Sequence, residues 1–124
     1  MNTTHGQRIV FTAAVLTVFA GCGGGAPSRE SARDQATTAT CVRFNMCAAF
    51  PSASYPTMEA CELDWRNRWE MTWPAATCDG KIDQAAFQLC MNAISSTACN
   101  ALDLGVTLAK CSAANVCKAA ADGG

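Results

Sequence analysis

Apolar residues are distributed along this chain in two ways. Over 9–20 they are nearly continuous, behind a polar start that ends in Arg8. Beyond residue 38 they are spaced, recurring at intervals of three and four, the period of an α-helix with one buried face. Cys41, Phe44, Cys47 and Ala48 form the first spaced stretch and predict a helix over 37–49, ended by Pro51. The segment 51–56, with a proline at each end, is a connection. Cys61, Trp65, Trp69 and Trp73 recur at every fourth position and predict a second helix over 58–72. Thr57 is its N-cap, Glu59 and Glu62 lie in its first turns, and Pro74 stops it by driving Trp73 out of helical geometry. Cys78-Asp79-Gly80 reads as a turn. Asp83 is the N-cap of a third helix running to 94, with Ile82, Ala86, Leu89, Cys90, Ala93 and Ile94 as its apolar face. After a loop over 100–105, Leu108, Cys111 and Cys117 predict a last helix over 107–119. No stretch alternates as a strand would. The expected fold is therefore all-α, a small four-helix domain over 39–120, with a flexible tether over 22–38, of which 29–38 reads either as tether or as a fraying first helical turn, and a disordered tail over 121–124.

Composition makes the core of such a domain thin. Hydrophobic residues are 50% of the chain, but much of that share is alanine and cysteine. Past residue 21 only thirteen residues are Val, Ile, Leu or Phe. A chain with so little to bury needs a further source of stability. Eight cysteines, at 41, 47, 61, 78, 90, 99, 111 and 117, provide one: an even set in a small exported domain reads as a disulfide framework. In the chain-entropy description, a bridge closing a loop of about 15 residues contributes roughly 3 kcal/mol. Cys41 and Cys47 stand six apart, as do Cys111 and Cys117. On a helix that spacing separates the Cα atoms by about 9 Å, beyond the roughly 7 Å that a disulfide spans. Antiparallel helices joined by short loops would instead give two nested hairpins. Cys47–Cys61 would lie inside Cys41–Cys78, and Cys99–Cys111 inside Cys90–Cys117.

The continuous apolar run is roughly 12 residues long, against the roughly 20 that a helix needs to cross a bilayer core. With its charged start and the small Gly21 at its end, it has the layout of a secretory signal peptide over 1–21. Phe19-Ala20-Gly21-Cys22 resembles the lipobox of bacterial lipoproteins, with Phe where Leu is usual. The resemblance covers the first two dozen residues. It implies cleavage before Cys22, a thioether-linked diacylglycerol on that cysteine and a further acyl chain, such as palmitate, on the new amino group. The whole looks like a small cysteine-rich lipoprotein of a Gram-negative bacterium, and Gly23 resembles the class sorted to the outer membrane. Parity agrees with this. Nine cysteines would leave one thiol unpaired, and acylation of Cys22 removes the odd one. The alternative is an ordinary signal peptide cut nearby, with Cys22 a free thiol.

Charge and residue types narrow the chemistry. Cleavage before Cys22 takes away Arg8 and His5, leaving eight basic side chains of nine against ten acidic ones, both signs mixed along the chain. No basic block suggests nucleic acid, and no polybasic run suggests an anionic lipid surface. With the only histidine gone, neither Ser-His-Asp nor Cys-His nucleophiles nor His-containing zinc sites can be built. No Cys-x-x-Cys redox pair is present. Glu59 and Glu62 share a helical face, but read as a solvated helix start. The strongest binding signal is Trp65, Trp69 and Trp73 beside Arg66 and Arg68, because aligned indoles and Arg rims recur in interfaces. The same spacing also suits bulk for the thin core, with Cys61 on that face, and this reading is favoured for Trp65 and Trp69. Trp73, at the helix end, is balanced between core and surface and is the first candidate for partner binding, with Trp69 and Arg66 beside it. The expectation is a non-enzymatic, cofactor-free, lipid-anchored module of the cell envelope. Acyl chains on Cys22 would be its membrane contact, and an envelope protein or glycan its partner. A released disulfide-rich effector or inhibitor is the alternative.

Overall fold

The computed structural model describes residues 25–49 and 52–118, apart from the side chains of 101–103. The expected signal peptide, Cys22 and the tail over 121–124 lie outside the described residues. Four longer helices, α1 (Arg29–Met46), α2 (Met58–Thr72), α4 (Gln84–Ser96) and α5 (Ala101–Lys110), are joined with two single turns, α3 (Ala75–Cys78) and α6 (Ala113–Val116). The described residues contain no strand. α1 lies along both α2 and α4, α5 packs on α4, and α6 closes against α4 and α3.

α1 starts eight residues before its expected position, so residues 29–38 are helix rather than tether. Ser28 caps it, its Oγ accepting from the Ser31 amide at 3.1 Å, and Glu30 sits in the first turn. Its buried stripe is Arg29, Ala32, Ala36, Thr37, Thr40 and Cys41. Those positions have helical spacing but hold small or polar side chains, so a search for large apolar residues passes over them. Thr37 and Thr40 satisfy their buried hydroxyls by donating to the carbonyls of Arg33 (2.8 Å) and Ala36 (2.7 Å). The helix ends at Met46 in a Schellman motif: the Ala49 amide reaches the Phe44 carbonyl and the Ala48 amide the Asn45 carbonyl, both at 3.0 Å. Ala48 takes the left-handed position, with φ 55°.

α2 has the expected bounds. Thr57 Oγ1 accepts from the Ala60 amide at 3.2 Å, and the chain leaves the helix at Trp73 ahead of Pro74. α4 is capped by Asp83, whose carboxylate accepts from the Ala86 amide at 2.7 Å. Its buried residues are Ala86, Phe87, Cys90 and Ile94, whereas Leu89 is 67% exposed. Phe87 thus takes the inward position expected of Leu89. The expected loop over 100–105 is helical, because one glycine inside a helix costs only about 1 kcal/mol and Gly105 does not break it. The expected single helix over 107–119 is interrupted instead at Cys111 and Ser112. That break lets Cys111 and Cys117 point to different partners, and the Val116 carbonyl accepts from the Asp83 amide at 2.8 Å, tying α6 to the start of α4.

The disulfides are Cys41–Cys61, Cys47–Cys99, Cys78–Cys117 and Cys90–Cys111. None of the expected pairings Cys41–Cys78, Cys47–Cys61, Cys90–Cys117 and Cys99–Cys111 forms. The nested-hairpin expectation fails because the connection over 47–57 is too long for a tight hairpin. The returning chain overshoots Cys47 and brings Cys61 level with Cys41, their Cα atoms 6.0 Å apart. The two halves are not separate hairpins either. α4 lies beside α1 and α6 against α3, so Cys47–Cys99 and Cys78–Cys117 each cross from the first half to the second. Every cysteine among the described residues is paired.

Candidate functional site

Trp65, Trp69 and Trp73 form the inner face of α2 and are 3%, 1% and 0% exposed. Their rings continue one another, with centroids 5.8 Å apart from Trp65 to Trp69 and 4.8 Å from Trp69 to Trp73. Phe44 meets Trp65 edge-on at 5.5 Å and Phe87 meets Trp73 edge-on at 6.0 Å, extending the row through the centre of the domain. Trp73 Nε1 donates to the Cys111 carbonyl at 2.8 Å. Trp73 and Trp69 are therefore core residues and not a partner surface. The thin aliphatic content is the physical reason, since each indole removes roughly 150–250 Å² from water.

Arg66 is half exposed, its Nε 3.5 Å from Asp34 of α1. It stands at the edge of an ion-pair cluster between the start of α1 and the end of α2. Glu70 receives both Arg29 (2.7 Å) and Arg33 (2.8 Å), and Arg29 also donates to the Trp73 carbonyl at 3.2 Å. The Arg33 guanidinium, and then that of Arg29, hold the Glu70 carboxyl below its usual range. These arginines close the helix pair on itself, which leaves Arg66 with one of its two expected neighbours, Trp69, buried behind it and the other, Trp73, sealed in the core.

At the opposite end of the α1–α2 pair, Tyr55 stacks on Phe44 with centroids 6.0 Å apart. Its hydroxyl donates to Asp64 Oδ2 at 2.7 Å, and Arg68 Nε donates to the same oxygen at 2.8 Å. Tyr55 first, and Arg68 with it, lower the Asp64 carboxyl, while burial and then Asp64 raise the Tyr55 phenol. Arg68 also lies over the Trp65 ring, 5.3 Å from its centroid.

Beside this aromatic pair opens a cleft of about 390 Å³, between the end of α1, the segment 52–55 and the α4–α5 connection. Phe44, Tyr55, Leu104 and the Cys47–Cys99 disulfide form its apolar walls, with Ser52 and Ser54 at the rim. Its floor is pinned from below: Arg43 Nε donates to the Thr97 carbonyl at 2.8 Å, and Thr107 Oγ1 donates to Thr97 Oγ1 at 2.9 Å. The arrangement offers an apolar seat with hydroxyls at its mouth, in the size range of small-molecule pockets. No group of three or more His, Cys, Asp or Glu among the described residues could hold a metal ion. Sequence reasoning placed Phe44 on a helix face and 51–56 in a connection. It missed the cleft because Cys99, which brings the α4–α5 connection there, was paired elsewhere.

The model of a family of unknown function, DUF6184, matches residues 41–119. The chain belongs to this family. The matched span of DUF6184 opens at Cys41 and takes in all four disulfides, so the family's extent coincides with the cross-linked framework, while the first turns of α1 precede it. No curated protein and no solved structure matches the chain.

Proposed function

We propose that this protein is a lipid-anchored, non-enzymatic module of the bacterial cell envelope, its helical domain held near the membrane to bind a partner. The observation that carries the reading is cysteine parity. Eight cysteines are paired within the fold, and the ninth, Cys22, follows Phe19-Ala20-Gly21. Four disulfides suit an oxidising compartment outside the cytoplasm. Two acyl signals on one cysteine would give stable anchoring, where a single chain is marginal. Because α1 starts at Arg29, the tether shortens to residues 23–28, which extend over at most about 20 Å. The domain would then sit close to the lipid surface rather than on a long stalk. The cleft beside Phe44 and Tyr55 is the binding surface that this reading favours.

Growth of cells with a fatty-acid analogue tests the anchor. The wild-type chain is expected to take up label and to fractionate with membranes, and Cys22→Ser to lose both. Unchanged labelling and fractionation of Cys22→Ser would reject the anchor. Recovery of the wild-type protein chiefly from the medium, with Cys22 unacylated, would favour a released effector or inhibitor.

A further inference from the structure

The four disulfides differ in one respect that governs their chemistry. Cys41, Cys61, Cys78, Cys90 and Cys111 are fully buried and Cys117 is 8% exposed, so three of the bridges are sealed in the core. In the fourth, Cys47 is half-buried and Cys99 exposed, and both face the open cleft. Thiol–disulfide exchange requires a thiolate to reach a sulfur, and a bridge without access exchanges only when the surrounding structure opens.

The exposed bridge also has a distinct mechanical position. It spans the longest sequence separation of the four, 52 residues, and ties the entry of α5 to the end of α1. The far end of α5 is held separately by Cys90–Cys111, and α5 packs chiefly on α4. Breaking Cys47–Cys99 would therefore remove the covalent tie between the entry of α5 and the end of α1, leaving hydrogen bonds such as those of Thr97 to Arg43 and Thr107, while the sealed bridges keep the remaining helices together.

We propose that Cys47–Cys99 is a redox modification site, reduced by a dithiol that enters the cleft, and that its state sets the width of the cleft. One thiolate of the dithiol attacks a sulfur of the bridge. The S–S bond breaks, a mixed disulfide forms, and the displaced protein sulfur leaves as a thiolate that takes up a proton. The second thiolate of the same dithiol then attacks the mixed disulfide and closes the oxidised dithiol. Two electrons pass from dithiol to protein, and its two protons end on the Cys47 and Cys99 thiols. With that covalent tie gone, the segment around Cys99 moves relative to the end of α1 and the cleft widens beside Phe44 and Leu104, while Arg43 keeps Thr97 in place.

The test is limited reduction of the full oxidised protein with dithiothreitol, after any free thiol has been blocked with iodoacetamide. New thiols are trapped with a second, heavier alkylating reagent and mapped by peptide mass. Label is expected on Cys47 and Cys99 about tenfold or more faster than on any other pair, as exposure governs exchange. The helical circular dichroism should persist and the tryptophan emission should change. The double variant Cys47→Ser/Cys99→Ser, treated in the same way, should take up no second label. First labelling at Cys41, Cys61, Cys78, Cys90, Cys111 or Cys117, labelling of all eight together, or a double variant that labels as fast as wild type would each overturn the proposal.

Discussion

Glu70 is the residue on which the α1–α2 pair closes, since two guanidiniums from α1 meet its carboxylate. Its pKa and that of Asp64 are lowered in the fold. The unfolded chain therefore takes up protons first as pH falls, so the contribution of these carboxylates is complete above the ordinary carboxylate range and is lost as pH drops through their lowered values. Tyr55 is shifted the other way, upwards from 10.0. Its contribution is complete below the ordinary phenol value and is lost as pH rises through the raised one. Thermal denaturation should show a plateau between roughly pH 5 and 9, falling on both sides. Glu70→Gln should flatten the acid limb and Tyr55→Phe the alkaline one. At neutral pH, Glu70→Gln is expected to cost only about 1 kcal/mol, because Glu70 is 42% exposed and solvent screens the pair. Trp73 tests the core assignment. Trp73→Phe keeps an aromatic ring but removes the donor to the Cys111 carbonyl, and should cost about 1–3 kcal/mol in denaturant titration. A surface indole would cost almost nothing. The tryptophan spacing was legible as one helical face, since period and residue type sufficed for that. Whether the face met solvent or core depended on α1 and α4, whose Phe44 and Phe87 meet its two ends, and no local pattern encodes that.

Helix ends marked by a specific side chain were readable. Thr57 and Asp83 cap α2 and α4 as expected, and Pro74 stops α2, because capping and proline geometry act within a few residues. α1 and α5 were not readable over their whole length. The first turns of α1 bury alanine and threonine, whose value lies in letting another helix approach closely, and that becomes visible only with α2 and α4 in place. In α5, Gly105 signalled a loop that packing on α4 overrides. The end of α1 carries a testable strain. Ala48 occupies the left-handed cap position at φ 55°, which disfavours a side chain by roughly 1–2 kcal/mol and which glycine adopts freely. Ala48→Gly should stabilise the domain by about 1 kcal/mol, measured as a higher denaturant midpoint under oxidising conditions. An unchanged or lower midpoint would show that this cap is not formed as described.

For the whole molecule, cross-links and aromatic rings together replace the aliphatic core that the chain lacks. The even cysteine set and the all-α class followed from composition and period. The connectivity did not, because it depends on which helices are neighbours: α4 beside α1 sends Cys47 across to the second half, and α6 against α3 does the same for Cys78. The 41–119 span of the family match encloses that framework, and the folded unit extends beyond it to the first turns of α1, whose Ala32 and Ala36 lie in the core. Cys22 lies before it. The proposed function rests on that division of labour, with eight cysteines for the fold and one for the membrane. Intact mass of the mature protein extracted from cells tests it most directly. The expected result is a chain beginning at Cys22, carrying the mass of a diacylglycerol and a further acyl chain, and lighter by eight hydrogens, two for each of the four disulfides. A chain that begins elsewhere, or that carries Cys22 as an unmodified thiol, would contradict it.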